Sequence, residues 1–199
     1  MIGLCAQSRM GKDTVADHML TILKGWDRRS FGDELKSLVS RYFEISLQDI
    51  EEYKSKSDVH PKIQQTMRNV LQIVGETFRS ICPDVWVKAA MRNVDTNVIF
   101  TDVRHDNEML EIMKNNGYLI LLGRTRYLNK DPHPSESGLR NAITWFLENT
   151  DSSYVCVKNI SHISVPEEFQ KFSYFVRNDS TLKELQSSIS QIIHDLKLK

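Results

Sequence analysis

Short unbroken apolar runs alternate along the chain with stretches whose apolar residues recur every three to four positions. Ile2-Gly3-Leu4-Cys5 is the first such run, the pattern of a strand buried on both faces. After it, Val15, Met19, Ile22 and Leu23, with Ala16 and Leu20 alongside, mark one face of a helix beginning near Gly11. Arg29-Ser30-Phe31 is a brief strand candidate, followed by an amphipathic helix from about Asp33 to Tyr42. Ser46 can cap a short helix through Glu52, and the polar stretch from Tyr53 to Asp58 reads as a loop. Ile63, Met67, Val70, Leu71, Val74 and Phe78 give a broad apolar face to a long helix from about Pro61 to Ile81. Pro83 suits the first turn of the next helix, whose apolar positions include Val85, Val87, Ala89, Ala90 and Val94.

The second half continues the alternation. Val98 to Asp102 reads as a buried strand ending in an acid. A helix from Asn107 to Lys114 runs through the stop Asn116-Gly117 into a strand from Tyr118 to Leu122. A polar loop from Gly123 to Ser137 precedes a helix through Trp145 and Phe146, and Tyr154–Val157 and Phe172–Phe175 are strand candidates. The last helix starts at about Thr181, where Thr181 and Glu184 can form a capping box. Strands alternating with helices predict an α/β protein with a parallel sheet and right-handed crossovers. Ligands then gather at the C-terminal ends of the strands.

Composition narrows the class more than the chemistry. The 199 residues suffice for one sizeable core with room for a lid or small subdomain. The formal net charge of zero gives no bulk attraction for nucleic acid or anionic membrane. No apolar segment approaches a membrane span, and the N-terminal apolar stretch is too short for a signal-peptide core and has no basic leader. Cys5, Cys82 and Cys156 are widely spaced and form no CxxC pair, which predicts reduced, buried thiols in a cytoplasmic protein without a zinc site.

The chemistry begins directly after the first strand. Ala6-Gln7-Ser8-Arg9-Met10-Gly11-Lys12-Asp13-Thr14 follows the pattern of a phosphate-binding loop, whose backbone N–H groups and helix N-terminus attract an anion. Lys12 would reach the β- and γ-phosphates of a nucleotide. Ala6 stands where the usual motif has its first glycine, and Asp13 where it has a metal-binding Ser or Thr. A carboxylate there offers Mg²⁺ a charged oxygen, directly or through water, and also suits a helix N-terminus. Thr14 restores a hydroxyl one residue later; Arg9 and Met10 form the crest, with Arg9 open between solvent and nucleotide.

Asp102, ending an apolar strand, can orient Mg²⁺ or its waters, or simply cap a turn. Arg104 suits a phosphate because its planar fork gives paired hydrogen bonds. Glu108, four residues on, can pair with Arg104 along the helix or position the substrate, and His105 is read as a polar contact. Arg124, Arg126 and Lys130 lie in the loop after the next strand, fitting a lid that closes over transferring phosphates. Asn129-Lys130-Asp131 is one residue short of the guanine-reading motif of GTPases and is set aside.

Taken together, these segments resemble the deoxynucleoside monophosphate kinases of tailed bacteriophages. The resemblance is carried by Gly11-Lys12-Asp13-Thr14 with Ala16-Asp17, and by Asp102-Val103-Arg104 with Asp106 and Glu108. It continues through Arg124 ahead of His133-Pro134-Ser135-Glu136-Ser137-Gly138-Leu139, and through Asn178-Asp179 with Leu182 and Glu184-Leu185. It implies a three-layer P-loop NTPase fold with a five-stranded parallel sheet, a helical substrate-binding region over about 33–95 and a lid over about 123–138. It further implies transfer of the γ-phosphoryl group of ATP, with Mg²⁺, to a dNMP.

By the same resemblance, Ala6, Ser8, Arg9, Met10, Gly11, Lys12, Asp13 and Thr14 hold the ATP phosphates, and Arg177 and Asn178 lie beside the adenine. Asp13 and Asp102 serve the metal; Lys12, Arg104 and Arg124 are the catalytic cations. Arg68, Gln72, Trp86, Arg104, Glu108, His133 and Ser135 bind the acceptor, with Trp86 open between a stacking ring and a core aromatic. Where the family has Gly-Thr-Asp this chain has Gly75-Glu76-Thr77, which shifts or removes an acidic contact. Phosphomevalonate kinases share the Gly-Lys-Asp start and strand-end Asp-x-Arg and are the rival within the fold; a nucleotide-binding switch without turnover is the rival outside it. The expected partners are small molecules, with oligomeric state open between monomer and homodimer, and the location the cytoplasm, a host's if a phage carries the gene.

Overall fold

A computed structural model of the chain describes residues 1–94, 97–128, 137–161 and 163–198. The chain forms two compact units, one of Met1–Arg29 with Asp95–Lys199 and one of Ser30–Val94.

The first unit is built on a sheet of β1 (Ile2–Cys5), β2 (Asp27–Arg29), β5 (Val98–Val103), β6 (Tyr118–Gly123), β7 (Tyr154–Cys156) and β8 (Tyr174–Arg177), in the order β2-β5-β1-β6-β8-β7. The first five of that order are parallel, and β7 pairs antiparallel with β8 at the edge. The sheet therefore carries the five parallel strands expected and one antiparallel strand more. A parallel return from β7 to β8 would need a full crossover, usually a helix. The intervening chain holds only the 3₁₀ turns Val157–Asn159 and Glu167–Phe169 among its described residues, so β7 pairs as an antiparallel edge.

Central burial explains the apolar runs. Ile2, Leu4, Ile99, Phe100, Leu121 and Leu122 are fully buried, as strands covered on both faces must be. The helices of this unit include α1 (Lys12–Ile22), α6 (Asp106–Lys114), α7 (Arg140–Asn149) and α8 (Leu182–Asp195). From β1 the chain crosses towards β2, and from β5 it crosses the other way to β6. Right-handed crossovers in opposite directions put α1 and α6 on opposite faces of the sheet. Gly3 packs under α6: a side chain there would press on Ile112 at 2.6 Å. Phe146 of α7 stacks on Phe175 of β8 with ring centroids 5.0 Å apart, while α1 packs with α8. The capping box of Thr181 and Glu184 is present at the start of α8.

The second unit holds α2 (Asp33–Phe43), α3 (Leu47–Lys56), the pair β3 (Val59–His60) and β4 (Gln65–Thr66), α4 (Met67–Ile81) and α5 (Val85–Ala90). Its own core is Val39, Ile45, Ile50, Met67, Val70 and Leu71, with Leu35, Tyr53, Ile63 and Val74 packed against it. Two sequence expectations change here. The stretch from Tyr53 is not a loop: α3 continues to Lys56, because Tyr53 packs on the core and meets His60 edge-on at 4.5 Å. A Lys56–Glu52 pair of 2.6 Å also sits on that added turn. The long helix does not start at Pro61. Residues 59–66 form an antiparallel hairpin, and Thr66 caps α4 by accepting the N–H of Asn69 at 3.3 Å.

Candidate active site

The phosphate loop leaves the central strand β1 and enters α1, so it lies at the C-terminal edge of the sheet. Ala6, Gln7 and Met10 are buried, whereas Arg9 is exposed. Two loop residues have left-handed backbones, Arg9 at φ 65° and Gly11 at φ 92°. Ala6 has no positive φ, which is why the missing first glycine does no harm. Gly11 is the N-cap of α1 and has no side chain to cap with, so no N-cap group takes the N–H groups of the first turn. Such unclaimed donors at a helix start suit a phosphate.

Asn178, at the end of β8, holds the loop from behind. It is buried, and its Nδ2 donates to the carbonyl of Met10 at 3.0 Å. The same Nδ2 fills the space a Cβ on Gly11 would need. Sequence reasoning placed Asn178 beside adenine; in the fold its amide donor is used on the loop itself.

The charged groups of the loop pair among themselves. Lys12 Nζ donates to Asp13 Oδ2 at 2.6 Å, and the other Asp13 oxygen pairs with Arg28 of β2. Arg28 also meets Asp17 at 2.9 Å. Partial burial would raise the Asp13 pKa, but the hydrogen bond and charge of Lys12, followed by those of Arg28, hold the carboxyl below its usual range. Asp13 and Thr14 are both exposed in the first turn of α1. Arg28 was not foreseen. Its signal was available, since Asp27-Arg28-Arg29 is a fully charged trio in a strand beside the apolar β5.

The strand next to β1 delivers the second group. Cys5 and Val103 are register partners, so Asp102-Val103-Arg104 ends at the level of the phosphate loop's origin. Asp102 and Arg104 are half-buried. Glu108 is buried at 3% exposure, and one carboxylate oxygen accepts the backbone N–H groups of Arg104 (2.8 Å) and His105 (3.0 Å). Glu108 thus fixes the backbone turn that carries Arg104. Burial pushes the Cys5 thiol pKa far up, with the Glu108 charge adding to it, so that thiol is not a nucleophile.

The third group follows β6. Arg124 lies over the Tyr127 ring at 4.9 Å, and Arg126 lies 5.7 Å from the same ring. Thr125 donates its N–H to Asp179 Oδ1 at 2.8 Å and its hydroxyl to Oδ2 at 2.6 Å. Lys130, His133, Ser135 and half of the lid expected over 123–138, residues 129–136, lie outside the described residues.

Arg177 is spent elsewhere. Its guanidinium donates to the carbonyls of Leu147 and, at 2.5 Å, Thr150, at the end of α7, and reaches Asp179 at 3.4 Å. Cationic donors there satisfy end-of-helix carbonyls. Arg177 thus ties the end of β8 to the end of α7.

In the second unit, Arg68 and Gln72 share a face of α4 and are half-buried. Trp86 is buried, donates its indole N–H to the Gly75 carbonyl at 3.1 Å and packs on Phe78 at 5.4 Å. Those contacts are the ones expected of the core aromatic of the two alternatives. Glu76 pairs with Arg79 at 3.0 Å. Among the described residues no three His, Cys, Asp or Glu side chains gather as a metal cluster, and no helix is long and apolar enough to cross a membrane.

Comparison with known proteins adds kinship to this geometry. No protein-family model matches the chain. A protein of Acanthamoeba polyphaga mimivirus, named "Putative deoxynucleotide monophosphate kinase", is 31% identical over 161 residues, 71% of this chain and 82% of the viral protein. Among solved structures, dephospho-CoA kinase from Campylobacter jejuni aligns over 98% of this chain and 96% of its own, with TM-score 0.45 and 11% identity. Shikimate kinase from Bacteroides thetaiotaomicron aligns over 99% and 98%, with TM-score 0.41 and 14% identity. At those scores neither defines the fold, which is evident from the strand order itself. The viral relative, the phosphate loop at the end of β1 and the neighbouring strand with Asp102 near its end agree: the chain belongs to the deoxynucleotide monophosphate kinase family and is a P-loop kinase of the nucleoside monophosphate kinase kind.

Proposed function

We propose that the protein transfers the γ-phosphoryl group of ATP to a deoxynucleoside monophosphate, giving a dNDP and ADP. The observation that carries the acceptor is the 31% identity to the viral protein, whose name specifies a deoxynucleotide monophosphate. The donor is supported by the phosphate loop, with its unclaimed first-turn N–H groups and adjacent Lys12.

Lys12 and the loop amides bind the ATP phosphates. Lys12 leaves Asp13 for the phosphates as nucleotide enters, exchanging one anionic partner for another. That exchange frees Asp13 Oδ2, an ionised oxygen of the kind a hard cation prefers. Asp13 and Asp102 are the residues that would hold Mg²⁺, a hard cation that prefers oxygen ligands. The ion would neutralise phosphate charge. Arg104, on the turn held by Glu108, and Arg124 bind the acceptor phosphate and the transferring group. Positioning and charge neutralisation are the main catalytic demands, because the acceptor oxygen is already ionised. Arg68 and Gln72, with the unit Ser30–Val94, are assigned to the acceptor nucleoside by the family resemblance.

A panel of deoxynucleoside monophosphates, ribonucleotides and other phosphorylated acceptors, each with γ-labelled ATP and Mg²⁺, tests the proposal. Label should appear in at least one dNDP at a kcat/KM above that of every non-nucleotide acceptor. Transfer to a non-nucleotide acceptor alone would overturn it.

A further inference from the structure

Two groups that a phosphoryl-transfer site requires, the phosphate loop and a cation after β6, are tied to a single turn. Asn178 donates to Met10 in the loop at 3.0 Å, and its neighbour Asp179 accepts both the N–H and the hydroxyl of Thr125, at 2.8 and 2.6 Å. Thr125 opens the 3₁₀ turn Thr125–Tyr127, with Arg124 as its N-cap. The third residue of that turn, Tyr127, lies under the Arg124 guanidinium at 4.9 Å. Arg177, just before the pair, is anchored on the end of α7 through Leu147 and Thr150. The turn is thus fastened to a helix end and reaches both elements from there.

We propose that Asp179 is a positioning residue for Arg124, acting through Thr125 and Tyr127, while Asn178 sets the phosphate loop from the same turn. The proposal takes the role given above to Arg124 and assigns the residues that aim it. The physical logic is preorganisation: a cation held by its surroundings needs no reorganisation when charge develops on the transferring group. Asp179 fixes the backbone at Thr125 with two hydrogen bonds, one of them to a backbone N–H. The Tyr127 ring restricts where the guanidinium can go through its face. Neither Asp179 nor Tyr127 needs to touch substrate. The two halves of the turn act on different quantities. Loosening the loop weakens ATP binding in the ground state, whereas misaiming Arg124 affects the transition state.

The test is a double-mutant cycle on the purified full chain, with circular dichroism and thermal melts checking that each variant folds. Asp179→Ala and Tyr127→Leu should each lower kcat by about tenfold with little change in the KM for ATP, the scale of a misplaced electrostatic contact. In an Arg124→Ala background neither should lower kcat further, because the cation they aim is gone. Tyr127→Phe, which keeps the ring, and Asp179→Asn, which can still accept the Thr125 N–H, should restore most of the activity. Asn178→Ala should instead raise the KM for ATP. Full additivity of Asp179→Ala with Arg124→Ala would overturn the proposal, as would a rise in the KM for ATP alone on Asp179→Ala. The cycle is read on whichever acceptor the wild-type enzyme phosphorylates, and in parallel on acceptor-free ATP hydrolysis. A failure of the dNMP assignment therefore shows in the acceptor panel, and a failure of the positioning scheme shows in the cycle.

Discussion

Replacing Gly11 by alanine tests how the phosphate loop is held. Gly11 sits at φ 92°, ψ 16°, and the amide of Asn178 fills the space a Cβ would need. Two separable effects follow. The left-handed backbone disfavours an L side chain by about 1–2 kcal/mol. The new methyl also pushes Asn178 off the Met10 carbonyl, breaking a buried 3.0 Å hydrogen bond, which costs about 1–3 kcal/mol when a partner is left unsatisfied. The expected destabilisation is therefore about 2–5 kcal/mol. In urea, with an m-value of about 2 kcal/mol per molar, the midpoint should fall by about 1–2.5 M while the slope stays unchanged. The same substitution in an Asn178→Ala background should retain only the backbone effect, about 0.5–1 M. A midpoint shift under about 0.5 M, or an equal shift in both backgrounds, would refute the packing of Asn178 against Gly11 as the source.

Other outcomes follow from the same contacts. Lys12→Ala should lower turnover by roughly 10²-fold or more in a folded protein, read by steady-state kinetics with labelled ATP. Arg177→Ala strips donors from the Leu147 and Thr150 carbonyls and should destabilise the fold by about 1–3 kcal/mol while leaving the KM for ATP near wild type. A raised KM without loss of stability would instead restore the adenine role. Glu184 has its pKa lowered by the Thr181 N–H, then by the Ser180 and Thr181 hydroxyls. A carboxyl that titrates lower when folded stabilises above its unfolded pKa and loses that contribution as pH falls through the folded one. Glu184→Gln should therefore flatten the acid limb of stability against pH in urea titrations.

Much of this fold was legible because its signals are local. A two-sided strand must be apolar throughout, so β1, β5 and β6 stand out as runs, and α8 announces itself by the Thr181–Glu184 capping box. The weaker boundaries lay where a tertiary contact overrides a polar sequence. Tyr53 reads as loop among charges, yet it turns helical by packing on the Ile50 and Met67 core. The hairpin of residues 59–66 has two-residue strands, too short to leave a period. In the site, the phosphate loop was visible as strand, Gly11-Lys12 and helix in order. Arg28 and Asp179 were not recognised as parts of it, because they act through partners 15 and 54 positions away in sequence.

The sequence by itself determined the kind of chemistry: a strand feeding Gly11-Lys12-Asp13, a second strand ending in Asp102, and arginines after each later core strand. Those assignments depend on residue type and short spacing, which the chain carries directly. Only the tertiary structure decided how the polar side chains are spent. The sequence set Asn178 and Arg177 beside the nucleotide and left Glu108 and Trp86 open between ligand and scaffold, and the fold gives hydrogen bonds of theirs to Met10, the end of α7, the Arg104–His105 turn and Gly75. The physical reason is satisfaction: a polar group that folding removes from water must find a partner, and which backbone group lies within 3 Å is set by the packing of distant segments.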